Sequence, residues 1–184
     1  MVECRYDAAA KTVSFETDHL LVFTVGYNAS KVNPGTSVPD LPFADVDSED
    51  WFFEVVRYAY ETGLMVGTGS TTFEPLIEVN RAMLVTTLCR LEGEPTLTVA
   101  NPFDDVVDGQ WYTNAIIWAA ENEIVAGYGG GKFGPTDTLT REQMVAILYS
   151  YARYKGYDVS IGEETNILSY ADAEQISEYA IPAM

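Results

Sequence analysis

The amino-acid sequence predicts a mainly α-helical protein made of tandem repeats, preceded by a short β-hairpin. The first observation is an internal repeat, because Phe43-Ala44-Asp45-Val46 recurs as Phe103-Asp104-Asp105-Val106, 60 residues later. The second observation is that apolar residues recur at helical spacing within each copy. The third is an alternating segment near the N terminus, where Val13 and Phe15 stand between polar residues, as in a half-buried strand.

The internal repeat continues without a gap along both copies. The offset of 60 relates Trp51 to Trp111, Gly67 to Gly127, Phe73 to Phe133, Pro75 to Pro135 and Arg81 to Arg141. So many matches in one register indicate repeated structural units. A third copy begins at Tyr170-Ala171-Asp172, with Tyr179 in the place of Trp111, and it is cut short within its expected first helix.

Each complete copy is predicted to contain two helices. Apolar residues at positions i, i+4, i+7 and i+8 predict that the first helix buries one face: Trp51, Val55, Tyr58 and Ala59, or Trp111, Ala115, Trp118 and Ala119. The second helix has the stripe Leu84, Thr87, Leu88 and Leu91, or Met144, Ile147, Leu148 and Tyr151. Thr140 is its predicted N-cap in the second copy, with Gln143 at the capping-box position. Asn80 is the cap in the first copy, where Met83 leaves no box.

The pattern divides the chain into five segments. Residues 1–33 are interpreted as the closing strands of an upstream β domain, with the run 20–27 as the partner of the strand at Val13 and Phe15. Three prolines and a glycine make residues 34–42 a linker. The repeats are then assigned to residues 43–95, 96–160 and 168–184, the last being a truncated start.

Charge and composition exclude several function classes. Ten Lys and Arg stand against 28 Asp and Glu, and a net charge of -18 disfavours nucleic acid and anionic membranes as partners. No apolar run approaches the ~18 residues of a membrane span, so membrane insertion is not expected. His19, the only histidine, lies outside the repeats, and the sequence predicts no catalytic residues and no cofactor.

Neither the acids nor the cysteines indicate a metal site. The acidic run 45–50 lacks the glycine and the closing glutamate of a calcium loop. We interpret it as acids that favour a helix N-terminus. Cys4 and Cys89 form no disulfide or metal framework, and Cys89 is predicted to be a small buried apolar residue.

The order of these motifs resembles the S-layer homology domain over residues 43–183. The resemblance lies in F-x-D-V, a Trp at a helix start, a glycine loop, F-x-P and a T-R-E-type helix start. It implies a partial pseudo-threefold spindle of repeats that binds secondary cell-wall polysaccharide, often through a pyruvylated sugar, in grooves between neighbouring repeats. The implied function is non-covalent anchoring of a secreted bacterial surface protein, hence an extracellular, wall-associated location. No signal peptide is visible in this sequence.

The resemblance makes the arginine of the T-R-A-E-type motif the main candidate for contacting an acidic sugar. This motif reads Asn80-Arg81-Ala82-Met83 and Thr140-Arg141-Glu142-Gln143, so the arginine is kept and the carboxylate is lost or shifted. At a helix N-terminus, Arg81 and Arg141 would meet an anion with a guanidinium fork and unpaired N–H groups. The alternative is a surface arginine paired with a nearby acid.

The other candidate ligand residues each have a structural alternative. Trp51 and Trp111 would stack on a sugar ring, although core packing is the favoured interpretation. The loops at Gly67 and Gly127 either cradle a ligand with N–H groups or are turns that need a positive φ. Tyr128 and Thr140 complete the candidate set. A rival function is a structural module that self-assembles without glycan, and such a module would form a homo-oligomer through the incomplete third repeat.

Overall fold

A computed structural model describes residues 4–7, 12–15, 41–160 and 170–183. The chain divides into two compact units, residues 1–39 and residues 40–184. In the first unit, strand β1 (Cys4–Asp7) pairs antiparallel with β2 (Thr12–Phe15), and Cys4 lies opposite Phe15. Strand β2 covers the segment predicted as a strand at Val13 and Phe15, and it pairs with β1. The run 20–27 lies outside the described residues.

The second unit is helical, as predicted. Its α-helices are α1 (Phe53–Glu61), α2 (Arg81–Leu91), α3 (Thr113–Glu121) and α4 (Arg141–Tyr154). The first copy contributes α1 and α2, and the second copy contributes α3 and α4. Two 3-10 helices, Ala173–Gln175 and Glu178–Ala183, follow in residues 170–183, which we call the third-copy segment.

The aspartate of F-x-D-V ties each copy together in the same way. The carboxylate of Asp45 accepts hydrogen bonds from the N–H groups of Phe73 (2.9 Å) and Glu74 (2.7 Å). Asp105 accepts from Phe133 and Gly134, both at 2.9 Å. The N–H donors of Phe73 and Glu74 lower the pKa of Asp45. The motif thus fixes the F-x-P turn.

The main core joins the two copies, because α2 of the first copy packs against α3 of the second. Fourteen buried residues form it, among them Ala82, Val85, Leu88 and Cys89 on α2, Ala115, Ile116, Trp118 and Ala119 on α3, and Ile147 and Tyr151 on α4. A smaller cluster in the first copy contains Phe43, Val46 and Val56. The prediction for Cys89 is confirmed, and burial is the main cause that raises its pKa to about 11.

The predicted burial of the two tryptophans is wrong. Trp51 is 87% exposed and Trp111 is 54% exposed. Each lies two residues before its helix, in a turn, so the helical stripe does not extend to it. Their rings pack edge-on against the next residue, at centroid distances of 5.4 Å to Phe52 and 5.2 Å to Tyr112.

The remaining stripes are partly right. In α3 the predicted Ala115, Trp118 and Ala119 are buried, but in α1 the buried residue is Val56, while Val55 and Tyr58 are exposed. The second helices bury the predicted residues Leu88, Ile147 and Tyr151, whereas Leu91 and Leu148 are exposed. The face of α2 is wider than predicted because α2 also packs against the following copy.

Both predicted helix caps are confirmed. The hydroxyl of Thr140 accepts from the N–H of Gln143, and the Gln143 side chain accepts from the N–H of Thr140, which completes the capping box. Asn80 accepts from the N–H of Met83 at 2.9 Å, without a box partner. These caps place Arg81 and Arg141 at the first positions of α2 and α4.

Candidate functional site

The start of α2 is inserted into the F-x-P turn of the following copy. Asn80 forms a β-bridge with Thr138, and the N–H of Arg81 donates to the carbonyl of Asp137 at 3.0 Å. The N–H of Ala82 donates to the carbonyl of Pro135, also at 3.0 Å. N–H groups that a helix start normally leaves unpaired are therefore used to join two copies.

The Arg81 side chain continues this junction. It is 5% exposed, and its Nε and Nη2 donate to the carbonyls of Phe133 and Ala126, each at 3.0 Å. Its guanidinium also lies 4.6 Å from the ring centroids of Tyr128 and Phe133. Arg81 is therefore not a surface arginine paired with an acid. It is a buried cation held by carbonyls and aromatic rings.

A groove of about 690 Å³ lies beside this junction. It is bounded by α4, by the loop 124–128 and by the third-copy segment. The lining includes Arg81, Gly127, Tyr128, Gln143, Tyr149, Ser150, Arg153, Tyr179, Pro182 and Ala183.

The groove is cationic and aromatic in a strongly acidic chain. Among the described residues, its lining contains the cations Arg81 and Arg153 and no Asp or Glu. Arg153 is exposed, and its guanidinium lies 6.0 Å from the ring centroid of Tyr149. Within the described ranges Arg153 forms no ion pair. The guanidinium of Arg153 therefore remains available for an anion, next to hydroxyl-bearing rings.

The third-copy segment is attached to α4 through Glu142. Its carboxylate accepts from the N–H of Ser177 at 2.9 Å, from the Ser177 hydroxyl at 3.0 Å and from the Tyr179 hydroxyl at 3.0 Å. The N–H donor of Ser177 is the main cause that lowers the pKa of Glu142. We call this set of three hydrogen bonds the Glu142 contact.

The groove brings together three of the residues predicted from sequence, namely Arg81, Gly127 and Tyr128. Arg141 is exposed at the start of α4, outside the lining, and has no hydrogen-bond or ion-pair partner among the residues that the structure describes. The lining also leaves out Thr140, Trp51, Trp111 and Gly67.

The two loop glycines have a steric role in their own copies. A Cβ on Gly67 would lie 2.6 Å from Cε1 of Phe43, and a Cβ on Gly127 would lie 2.7 Å from Cε1 of Phe103. Gly67 has a φ of 85°, as a turn interpretation requires, but Gly127 does not have a positive φ. Close approach to the F-x-D-V phenylalanine is therefore what both positions share.

Sequence reasoning missed the part of the groove that α4 supplies. Gln143, Ala146, Ser150 and Arg153 follow one another at spacings of three or four residues, so they share one helix face. The apolar stripe of α4 predicts only its buried face and gives no information on this polar face. Tyr179 was identified as an equivalent of Trp111 without a role in a site.

In the first copy, an arginine side chain spans the place that is equivalent to the groove. Arg90 of α2 donates to the carbonyl of Leu64 at 3.4 Å and lies 3.6 Å from a carboxylate oxygen of Glu94. The offset of 60 makes Ser150 the equivalent of Arg90 and Ile124 that of Leu64. A short side chain in the second copy leaves open the space that Arg90 spans in the first.

The fold and the groove define a module of tandem helical repeats with a cationic, aromatic cleft. The S-layer homology domain model matches residues 42–82 and 102–145. The chain belongs to the S-layer homology family, and the predicted resemblance is confirmed. Such domains attach proteins to the cell wall, which places the chain at the cell surface as an anchoring module.

Curated relatives agree with this assignment. The chain is 34% identical over 143 residues to an endoglucanase of Bacillus sp. (strain KSM-635), covering 78% of this chain and 15% of that protein. It is 29% identical over 143 residues to an S-layer protein of Bacillus thuringiensis subsp. finitimus, covering 76% and 17%. It is also 29% identical over 149 residues to Exoglucanase XynX of Acetivibrio thermocellus, covering 79% and 13%. The chain thus spans less than a fifth of each of these relatives.

Two features are absent from the residues that the structure describes. None of their helices combines the length and the apolar character that crossing a membrane requires. The same ranges contain no group of three or more His, Cys, Asp or Glu side chains placed to hold a metal ion.

Proposed function

We propose that the chain anchors its parent protein by binding an acidic, pyruvylated secondary cell-wall polysaccharide in the groove. The observation that carries this proposal is that Arg81 and Arg153 both line a groove whose described lining contains no carboxylate, within a chain of net charge -18. A polyanion would be repelled by most of this surface and attracted locally by the two guanidinium groups.

The groove offers a distinct role to each kind of side chain. Arg153 supplies the free guanidinium fork for a ketal carboxylate, while Arg81 adds positive potential from a fixed position. The tyrosines at 128, 149 and 179 present rings and hydroxyl groups of the kind that pack on sugar faces and bond to their hydroxyls. Arg141, Thr140, Trp51, Trp111 and Gly67 belong to this proposal only as contacts outside the groove.

The test is a pull-down with purified cell-wall sacculi, native and stripped of pyruvate. We expect binding to native walls only, and Arg153→Ala to weaken it by roughly tenfold to a hundredfold, the range for a lost charge-assisted contact. Arg57→Ala is the matched control, because Arg57 lies on α1 next to Glu54 and outside the groove. Equal binding to both kinds of wall contradicts the proposal.

The variant Arg141→Ala distinguishes a ligand site in the groove from a ligand site at the start of α4. If the groove binds the acid, Arg141→Ala keeps most of the affinity that Arg153→Ala loses. The reverse order moves the site to the first turn of α4, where the sequence motif alone placed it. Circular-dichroism melts of both variants show whether a loss of binding reflects a loss of fold.

We also propose the division into residues 1–33, 34–42, 43–95, 96–160 and 168–184, in which the first segment closes an upstream β domain.

A second candidate function, an interaction module without glycan binding, is favoured by apolar exposure in the first copy. Leu76 is 90% exposed, and Ile77 and Val79 beside it are also exposed. Concentration-dependent oligomers in sedimentation, without glycan, support this candidate, and a monomer at all concentrations rejects it.

A further inference from the structure

The third-copy segment forms part of the groove wall but is short. Its second 3-10 helix spans six residues and contains Pro182, and three of its residues, Tyr179, Pro182 and Ala183, line the groove. Short 3-10 helices have little stability of their own. The position of this wall therefore depends on what attaches it to α4.

The Glu142 contact is the polar attachment that the described residues provide. One carboxylate accepts from a backbone N–H and two hydroxyl groups, all within 3.0 Å, on the residues where the 3-10 helix begins. A carboxylate at this place also compensates the N–H groups that a helix start leaves unpaired. Ala180, beside this contact, is fully buried. Because the apolar patch there is small, the hydrogen bonds of the Glu142 contact fix the direction in which the segment packs.

The junction between the first two copies lacks this carboxylate. The residue 60 positions before Glu142 is Ala82, which is 1% exposed and part of the main core. The following copy is attached there by apolar packing and by Arg81. Glu142 thus performs at the second junction what the core performs at the first.

We propose that Glu142 is a positioning residue that fixes the third-copy segment as a wall of the groove and thereby sets its affinity for the glycan. The affinity part rests on the proposed function. Glu142 does not line the groove itself and acts through Tyr179, whose ring does.

The experiment compares the full chain with Glu142→Gln and with Glu178→Gln. Glutamine keeps one acceptor oxygen but turns an NH₂ donor toward the N–H and hydroxyl donors of the segment. Glu178 is the matched control, because it is exposed on the same 3-10 helix and its side chain forms no hydrogen bond within the described ranges. Amide hydrogen exchange at Ser177 and Ala180 is measured without ligand, and affinity is measured with purified pyruvylated wall polysaccharide.

We expect Glu142→Gln to speed exchange at Ser177 and Ala180 by about tenfold or more and to weaken polysaccharide binding by a similar factor. Glu178→Gln should change neither. Unchanged exchange in Glu142→Gln overturns the positioning role, and faster exchange with unchanged affinity overturns the link to binding. If the unsubstituted chain does not bind the polysaccharide, the proposed function fails, while exchange at Ser177 still decides whether Glu142 holds the segment.

Discussion

The two junctions along the chain are built from different chemistry at equivalent positions. Between the first and second copies, Arg81 is buried against carbonyls and Ala82 lies in the core. Between the second copy and the third-copy segment, Arg141 is exposed and Glu142 forms three hydrogen bonds. One repeat motif thus supports a junction with a buried arginine and a core residue, and another with an exposed arginine and a hydrogen-bonded carboxylate.

Placing a carboxylate at the position of Ala82 in the first junction should be the most destabilising change. Ala82→Glu places a carboxylate in the core at a position with 1% exposure and no partner for it, so we expect a loss of about 4 kcal/mol or more in the free energy of unfolding. Urea denaturation followed by circular dichroism measures this loss.

The neighbouring position is the control for this exchange. Met83 lies at the third position of α2, so Met83→Glu supplies the missing capping-box partner of Asn80 and is expected to be neutral or to stabilise slightly. If Ala82→Glu unfolds no more easily than Met83→Glu, the buried character of the first junction is disproved.

The two arginines give the next largest difference. Arg81→Ala leaves the buried carbonyl of Phe133 and the partly buried carbonyl of Ala126 without their side-chain donor, and we expect a loss of about 3 kcal/mol in the free energy of unfolding. Arg141→Ala removes an exposed side chain without a described partner and should stay within about 0.5 kcal/mol. Similar midpoints for both variants in urea would show that Arg81 does not support the junction.

A smaller effect separates the turns inside the copies. Glu74 has a φ of 56°, whereas its equivalent Gly134 has a φ of 71° in the same turn. Because a left-handed conformation is costly for residues with a Cβ, Glu74→Gly should stabilise the first copy by about 0.5–1 kcal/mol. Gly134→Glu should destabilise, because its Cβ would lie 2.7 Å from Cε2 of Tyr128. Thermal melts of both variants test the sign, and a destabilising Glu74→Gly contradicts it.

The repeat could be predicted from sequence because its motifs act locally. The Thr140 cap with Gln143 and the aspartate of F-x-D-V form contacts within one copy, so their residue types and spacing suffice. The burial of Arg81 depends on how one copy meets the next, whereas Trp111 is exposed because α3 begins two residues after it. A helical stripe read in a single copy carries no information about that neighbour.

The groove was only partly predictable for the same reason. Gly127 and Tyr128 stood out because their loop repeats the loop at Gly67. Arg153 has no arginine equivalent in the first copy, where Gly93 occupies the position, so a search for repeated features passes over it. A residue that makes one copy functionally different cannot be identified from the features that the copies share.

The two junctions should also differ in pH dependence, because only the second contains the carboxylate of Glu142. The folded-state pKa of Glu142 lies below its ordinary value of 4.5, chiefly because the N–H of Ser177 donates to the carboxylate. The stabilisation it provides is therefore fully present above pH 4.5 and is lost as the pH falls through the lowered folded pKa. Neutralisation leaves Ser177 with a weaker acceptor, while the Tyr179 hydroxyl, whose pKa is raised above its ordinary value of 10.0, first of all by burial, is protonated throughout this pH range.

Amide exchange at Ser177, corrected for the intrinsic effect of pH, should therefore show a loss of protection below pH 4.5 that is absent from Glu142→Gln. The first junction has no carboxylate at Ala82, so exchange at the buried Ile116 should remain slow while Ser177 already opens. Simultaneous loss of protection at both amides would mean that acid unfolds the unit as a whole. The two junctions would then differ in chemistry but share a single cooperative unit.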